Sequence, residues 1–554
     1  MNGHAWVRDV ISSYPPPLTT TQPLAAAQQW CQWHGQTVIL VVDEQGSLVG
    51  VLTQRQVELA CHHGLADHNL GQWLMPLPPL VDVHQPVPEI LSLLGEWDVL
   101  PVLEEQRWVG VLSRQEVWRQ CYGEQPQPVD IHDLPLADRA KLTFVRQTAT
   151  PLGLDLFLVG GVVRDLLLGC LSPDPDMDVV VVAQAGMDAV TLGQRCVERD
   201  PELHLTVHEA YRTVTVTWPD GRWIDMATAR TEFYPAPGDP PQVSPSDLRQ
   251  DLARRDFSIN ALALKMTIAD QGSLVDLFQG EADLAQRHLR ILHPHSFVED
   301  PTRIFRASRF VARLGFRLDP WTERMMQTTL SSGIHDGRGG FRLRRECEYL
   351  LDTPTWPTAF AVLHQWGAWR CLDPGWQWSG ALARAVRRTE RWFSYFARRD
   401  PHLATEWRVS LKLEAALMGQ ADPITVAQRL HLPGHRLSLL TAALALRQRL
   451  QSWSPEVTAG WVDHELAKVG IPTLIVVAAQ VSPPLRRLLQ RYLTRWRPQK
   501  TLLSGKDLMA LGLQPGSQFQ EILAAVRAAQ LDGQILSVDA ARHFVLAWLK
   551  QVGA

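Results

Sequence analysis

The stretch FLVGGVVRDLLLGCLSPDPDMDVVVV, Phe157 to Val182, decides how the chain is read. An apolar run ending at Val159 reads as a strand, Gly160-Gly161 as a sharp turn, and the residues after it as a helix. A glycine pair lets the backbone approach a triphosphate closely, and the N-terminus of the following helix favours negative charge. Asp176 and Asp178 are spaced i, i+2. On a strand that spacing puts both carboxylates on one face, where they could hold a pair of Mg²⁺ ions. Asp225, in Trp223-Ile224-Asp225-Met226, is the candidate third carboxylate. Taken singly, a Gly-Gly turn and Asp-x-Asp are common surface features. Together, flanked by a strand and a valine run, they point to a phosphate site.

Working outward, residues 135–265 read as a mixed α/β head. A helix is expected over Ala137 to Thr150 and a strand over Leu154 to Val159. YRTVTVTWPDGRWIDMATAR, Tyr211 to Arg230, alternates on both sides of Pro-Asp-Gly, which is the pattern of a hairpin. Residues 1–125 contain an imperfect duplication. VILVVDEQGSLVGVLTQRQV, Val38 to Val57, recurs as VLPVLEEQRWVGVLSRQEV, Val99 to Val117. Each copy reads as strand, turn, strand and the start of a helix. Residues 126–134 read as a linker. Beyond Asp283 the chain is almost wholly helical, and is divided into 266–352, 353–482 and 483–554.

At 554 residues several domains are expected. Seven scattered cysteines without a CxxC pair argue for a reducing compartment and against a zinc or disulfide framework. The N-terminal MNGHAWVRDVISSYPPP has no long apolar core, and no run is long enough to cross a bilayer, so a cytoplasmic location without membrane contact is expected. A net charge of −4 argues against nucleic acid only if basic residues are evenly spread. They are not: 481–500 carries no acidic residue, and Arg487, Arg491 and Arg495 fall at i+4 spacing. That is a phosphate-tracking face or a solvated basic one.

Two further constellations carry chemistry. Asp251-Leu-Ala-Arg254-Arg255-Asp256-Phe-Ser-Ile-Asn260 could bind triphosphate through the arginines and a ribose hydroxyl through a carboxylate; it is also what a solvated helix start looks like. Glu299-Asp300-Pro-Thr-Arg303-Ile-Phe-Arg306 reads as one helix carrying Asp300 and Arg303 at i, i+3. Cytosine and adenine both present an amino donor beside a ring-nitrogen acceptor. An arginine donor next to a carboxylate acceptor complements them and meets guanine and uracil with donor against donor.

In order and spacing these three segments resemble the head and neck motifs of the class II tRNA nucleotidyltransferase and bacterial poly(A) polymerase family. The resemblance implies an α+β nucleotidyltransferase head with a mixed sheet, followed by an all-α neck, body and tail. It makes Asp176 and Asp178 the Mg²⁺ pair. Gly160, Gly161, Arg164, Asp165, Asp251, Arg254, Arg255, Asp256 and Asn260 become the nucleotide segment, and Asp300, Arg303 and Arg306 the base reader. It implies ATP and CTP as substrates and tRNA as partner. Phe341 to Glu346 resembles a motif supporting the neck. Leu503 to Leu508 (with Lys506), Leu511 to Gly516 and Ala529 to Gly533 resemble the tail of tRNA-specific members. The α/β duplication resembles a tandem CBS pair, carrying Gln56 and Glu116 where such modules often place a ribose-binding aspartate. A structural or homodimer-forming role is expected for it. The Pro-rich segment from Arg230 to Val243 falls where a loop governs the switch from C to A addition, and full CCA and terminal A addition stay open. The alternatives are a poly(A) polymerase on general RNA ends and an RNA-binding protein with an inactive head.

Overall fold

Val179, Val180 and Val181 are buried on both faces of their strand, as a β-branched run covered above and below should be. That strand lies at the middle of the head sheet. The computed structural model describes residues 6–11, 14–34, 38–87, 89–90, 93, 97, 99–105, 107–113, 128–184, 186–266, 271–400, 403, 407, 410–454, 456–516 and 518–552. They form two compact units, Met1–His335 and Asp336–Ala554.

In the first unit, the N-terminal strands β1 (Leu18–Thr19), β2 (Val38–Val42) and β3 (Leu48–Thr53) form one small sheet, and β4 (Val81–Asp82), β5 (Val99–Glu104) and β6 (Arg107–Ser113) form another. Both pair their first two strands parallel and the last two antiparallel, so the duplication read in sequence is a duplication of topology. The first copy continues into the helix Gln54–His62. Thr53 and Gln56 close a capping box there, which occupies Gln56 with the helix start. Glu116 lies outside the described residues.

The head sheet has eight strands: β7 (Pro128–Asp130), β8 (Asp155–Val159), β9 (Asp178–Val182), β10 (His204–His208), β11 (Thr213–Thr217), β12 (Trp223–Thr228), β15 (Leu262–Met266) and β16 (Gln271–Asp276). Their order is β10-β11-β12-β9-β8-β15-β16-β7, and only β12 and β9 pair parallel, so the sheet is mixed as expected. The β11–β12 hairpin follows the alternation read in sequence. The edge strand β7 falls inside the stretch read as a linker, and β16 lies beyond residue 265, so the sheet is wider than the expected head. A separate hairpin, β13 (Arg230–Phe233) and β14 (Gln242–Pro245), carries the proline-rich loop. Phe157, Val159, Val180, Leu252, Ala261 and Ala263 pack together beside the sheet. Each large side chain so buried contributes roughly 1.5–3 kcal/mol. The helix Thr302–Leu314 buries Ile304, Phe305, Ala307 and Phe310 and ends at Gly315, whose φ of 68° forms the left-handed cap.

The second unit is helical among its described residues. Several of its tryptophans cluster in one aromatic core: Trp369 stacks on Trp376 at 5.1 Å, and Trp356, Phe360 and Trp378 pack around them. Leu503, Leu508, Ile522, Val526 and Ile535 form the core of its C-terminal part. Arg527 pairs with Asp463 and ties that part to the helix Ala459–Leu466. Among the described residues no helix is long and apolar enough to cross a membrane.

Candidate functional site

Gly160 sits between β8 and the helix Gly161–Leu167 with φ 77° and ψ −135°, a conformation open to glycine. A Cβ at this position would stand 3.2 Å from Nη1 of Arg255 and 3.7 Å from a carboxylate oxygen of Asp178. The absent side chain therefore leaves room for Arg255 to approach Asp178.

Asp178 opens β9 and pairs in register with Val159 on one side and Asp225 of β12 on the other. Asp176 lies in the irregular segment before the strand, not on it as expected, yet close enough for its charge to act on Asp178. Asp178 is reachable by solvent but crowded by protein. That crowding, reinforced by Asp225 and Asp176 and opposed by Arg255, pushes its pKa up to about 6. Thr215 donates its hydroxyl proton to Asp225 from the neighbouring strand. Among the described residues no group of three or more His, Cys, Asp or Glu side chains is arranged tightly enough to hold a metal ion. The donor set is nonetheless all carboxylate, and the mutual repulsion at Asp178 is of the kind a hard divalent cation relieves.

Asp251 does not reach the cleft. It is fully buried, one oxygen accepting from Nε and Nη2 of Arg254 at 3.0 and 2.7 Å, the other from Nη2 of Arg255 at 3.1 Å. Both oxygens serve to aim the two guanidiniums. Arg254 also donates to Glu232 at 2.7 Å.

The motifs are joined through Asn260. Its Oδ1 accepts from Arg164 at 2.7 Å, and its Nδ2 donates to Asp256 at 2.9 Å. Arg306 donates to the other Asp256 oxygen at 2.8 Å. Burial alone would raise Asp256, but Arg306, Asn260 and Arg303 override it and hold its pKa at about 2. Arg164 also grips Asp165, with Arg313 on the far oxygen.

Glu299 to Arg306 is not one helix. A short helix, Ser296–Glu299, stops at extended Asp300 (φ −141°), and a new one starts at Thr302. The Asp-Pro step accounts for the break, since proline disfavours helical backbone in the residue before it. The Asp300 carboxylate accepts from the Thr302 N–H and hydroxyl at 3.0 and 2.6 Å, so it is tied to the first residue of the second helix. Arg303 is held by Ser296 Oγ at 2.6 Å and the Arg254 carbonyl at 2.8 Å, with Glu299 at 3.9 Å. Glu299 is buried beside His293, and burial pushes its pKa up to about 7 against the pull of Arg303. Glu299 and Arg303 open into a cavity of about 680 Å³, also lined by Glu232, Tyr234, Arg254 and His293. Glu232, Tyr234 and His293 were not singled out from sequence; Glu232 and Tyr234 lie in the quoted proline-rich segment, and His293 carried no signal.

The sequence-derived head and neck residues from Gly160 to Arg306 all fall in the first unit; of them Arg254 and Arg303 line the cavity beside Glu299, while Asp178 and Arg255 meet at the glycine turn. Arg487, Arg491, Arg495 and Lys506 lie exposed on the second unit. Arg487 and Arg491 share the helix Pro483–Arg491, but Arg495 follows on a π turn, which departs from strict i+4 spacing.

Residues 156–290 match the poly(A) polymerase head domain, so the mixed sheet and its cleft are those of a nucleotidyltransferase. The chain is 29% identical to an A-adding tRNA nucleotidyltransferase of Geobacter sulfurreducens over 94% of its own length, and spans 62% of that relative. It is 32% identical to a CC-adding tRNA nucleotidyltransferase of Deinococcus radiodurans over 78% of this chain and 96% of the relative. A Thermotoga maritima CCA-adding enzyme complexed with tRNA superposes with a TM-score of 0.58 at 26% identity, covering 77% of this chain and 100% of the other. The chain belongs to the class II tRNA nucleotidyltransferase family.

Proposed function

We propose that this protein adds nucleotides from CTP or ATP to the 3′ end of tRNA without a nucleic-acid template, building or completing the CCA terminus. The observation that carries the reading is the convergence, beside one glycine turn, of the Asp178–Asp225 strand pair and the Arg255 guanidinium, with Arg303 of the Glu299–Arg303 pair bonded to the carbonyl of the adjacent Arg254. Asp176, Asp178 and Asp225 would hold Mg²⁺, which supplies positive charge for the triphosphate and makes a hydroxyl easier to deprotonate. Arg255, beside Asp178, would take phosphate oxygens. Asp251 and Glu232 preset the arginines, so little reorganisation is needed when charge develops. Arg303 offers the donor and Glu299 or Asp300 the acceptor that suit C and A. The exposed arginines at 487, 491 and 495, with Lys506, would follow the tRNA backbone.

The duplicated N-terminal strands are read as a CBS pair with a structural role, a second copy of the chain being its expected partner, and the protein as cytoplasmic. The test is incubation of the purified protein and Mg²⁺ with tRNA transcripts lacking CCA, ending in CC, or complete, with CTP and ATP separately and together. Extension of every incomplete end to CCA marks a complete CCA-adding enzyme. Extension of the CC end by ATP alone marks an A-adding enzyme. Long A tails on unstructured RNA would overturn the tRNA reading in favour of a poly(A) polymerase.

A further inference from the structure

The cavity that holds Glu299 and Arg303 is not closed by the head alone. Its second wall is the first half of the N-terminal duplication, contributing Val38, Thr53, Arg55, Leu59 and Met75. Arg55, near the start of the helix Gln54–His62, reaches across this wall. Its Nη1 donates to Oε1 of Gln250 at 2.6 Å, and its Nη2 donates to Thr231 Oγ1 at 2.8 Å and to the Glu232 carbonyl at 3.4 Å. At the other end of the same helix, Nε2 of His62 lies 2.6 Å from the Pro235 carbonyl. Both residues therefore grip the β13–β14 hairpin. The hairpin in turn touches each side of the pocket: Glu232 accepts from Arg254 at 2.7 Å, and the Gly238 N–H donates to the Glu299 carbonyl at 2.9 Å.

We propose that Arg55 is a positioning residue for nucleotide selection, fixing the hairpin that places Glu232 and Glu299, so that the N-terminal module shapes the base pocket directly. The guanidinium fork is suited to this, because it spans three acceptors in one fixed geometry where a lysine would satisfy a single point. The contact is solvent-exposed, and exposed pairs add little to stability. What it sets is position, and recognition of a base edge depends on position to within about an ångström. The inference rests on the proposed nucleotide transfer.

The test compares the full-length wild type with Arg55→Ala, Arg55→Lys and His62→Ala, on tRNA ending in CC, with ATP and CTP titrated separately. Loss of Arg55 should raise the KM for the preferred nucleotide by about tenfold and shrink the ATP-to-CTP preference by about fivefold or more, with the tRNA KM and melting temperature little changed. Arg55→Lys should fall between, and His62→Ala should move the preference in the same direction. Nucleotide KM and preference both within about twofold of wild type in Arg55→Ala would overturn the inference while leaving the transfer reading standing. A wild type that extends no tRNA end would overturn both.

Discussion

Arg164 donates from Nη1 to Oδ1 of Asn260 across 2.7 Å, and so joins the glycine-turn helix to a segment 96 residues further on. Both side chains are buried, and the chain of contacts continues through Asp256 to Arg306. The two segments are therefore halves of one rigid support under the cleft.

Asn260→Ala would leave buried Arg164 and Asp256 each short of a partner. Hydrogen bonds to charged groups contribute about 1.5–3 kcal/mol, so a loss of stability of that order is expected. Nucleotide incorporation should fall by at least about tenfold in kcat/KM as the arginines lose their register. Thermal melting and steady-state kinetics check both, and an unaffected kcat/KM would show that the network does not support the site.

At Gly160 the constraint is backbone and space together. Alanine would have to adopt φ 77° and place its Cβ 3.2 Å from Arg255. Strain of this kind costs on the order of 1–3 kcal/mol, and displacing Arg255 from the carboxylates should lower kcat by about 10²-fold. Steady-state rates for Gly160→Ala measure this directly; activity near wild type would contradict the close approach described for this turn.

Two buried imidazoles give a pH prediction. His295 stacks on Trp73 at 5.1 Å, with His63 close by. Burial, with repulsion from His63, lowers His295 to about 3; burial, with repulsion from His62, lowers His63 to about 4. His293, adjacent to His295, is also lowered, first by burial and then by Arg303. The unfolded chain binds these protons near pH 6.5 and the native one does not, so this stability is present above pH 6.5 and is lost as pH falls toward 4. The melting temperature should decline over that window, and less steeply in His295→Phe, which keeps the stack. Parallel declines in the two proteins would refute the assignment.

Much of this was legible in the chain. The β11–β12 hairpin announced itself by alternation around Pro-Asp-Gly, and β9 by its valines beside Asp178, because both signals are local. What could not be read depends on contacts distant in sequence. β7 is three residues in a proline-containing stretch, made a strand only by pairing with residues 271–273. Nothing in sequence marks the Asp251 carboxylate as buried behind its own arginines. Arg55 meets Gln250 across 195 positions, with no motif at either end. The break at Asp300 was the exception, since the Asp-Pro step that causes it is written in the sequence.

Single-turnover nucleotide incorporation by Asp178→Asn, measured beside its affinity for tRNA, tests the role of the carboxylate pair most directly. Asparagine keeps the size and removes the charge. Incorporation should fall by several orders of magnitude while tRNA binding stays at the wild-type level. Incorporation at a rate close to wild type would contradict the claim that the Asp178–Asp225 strand pair carries the chemistry.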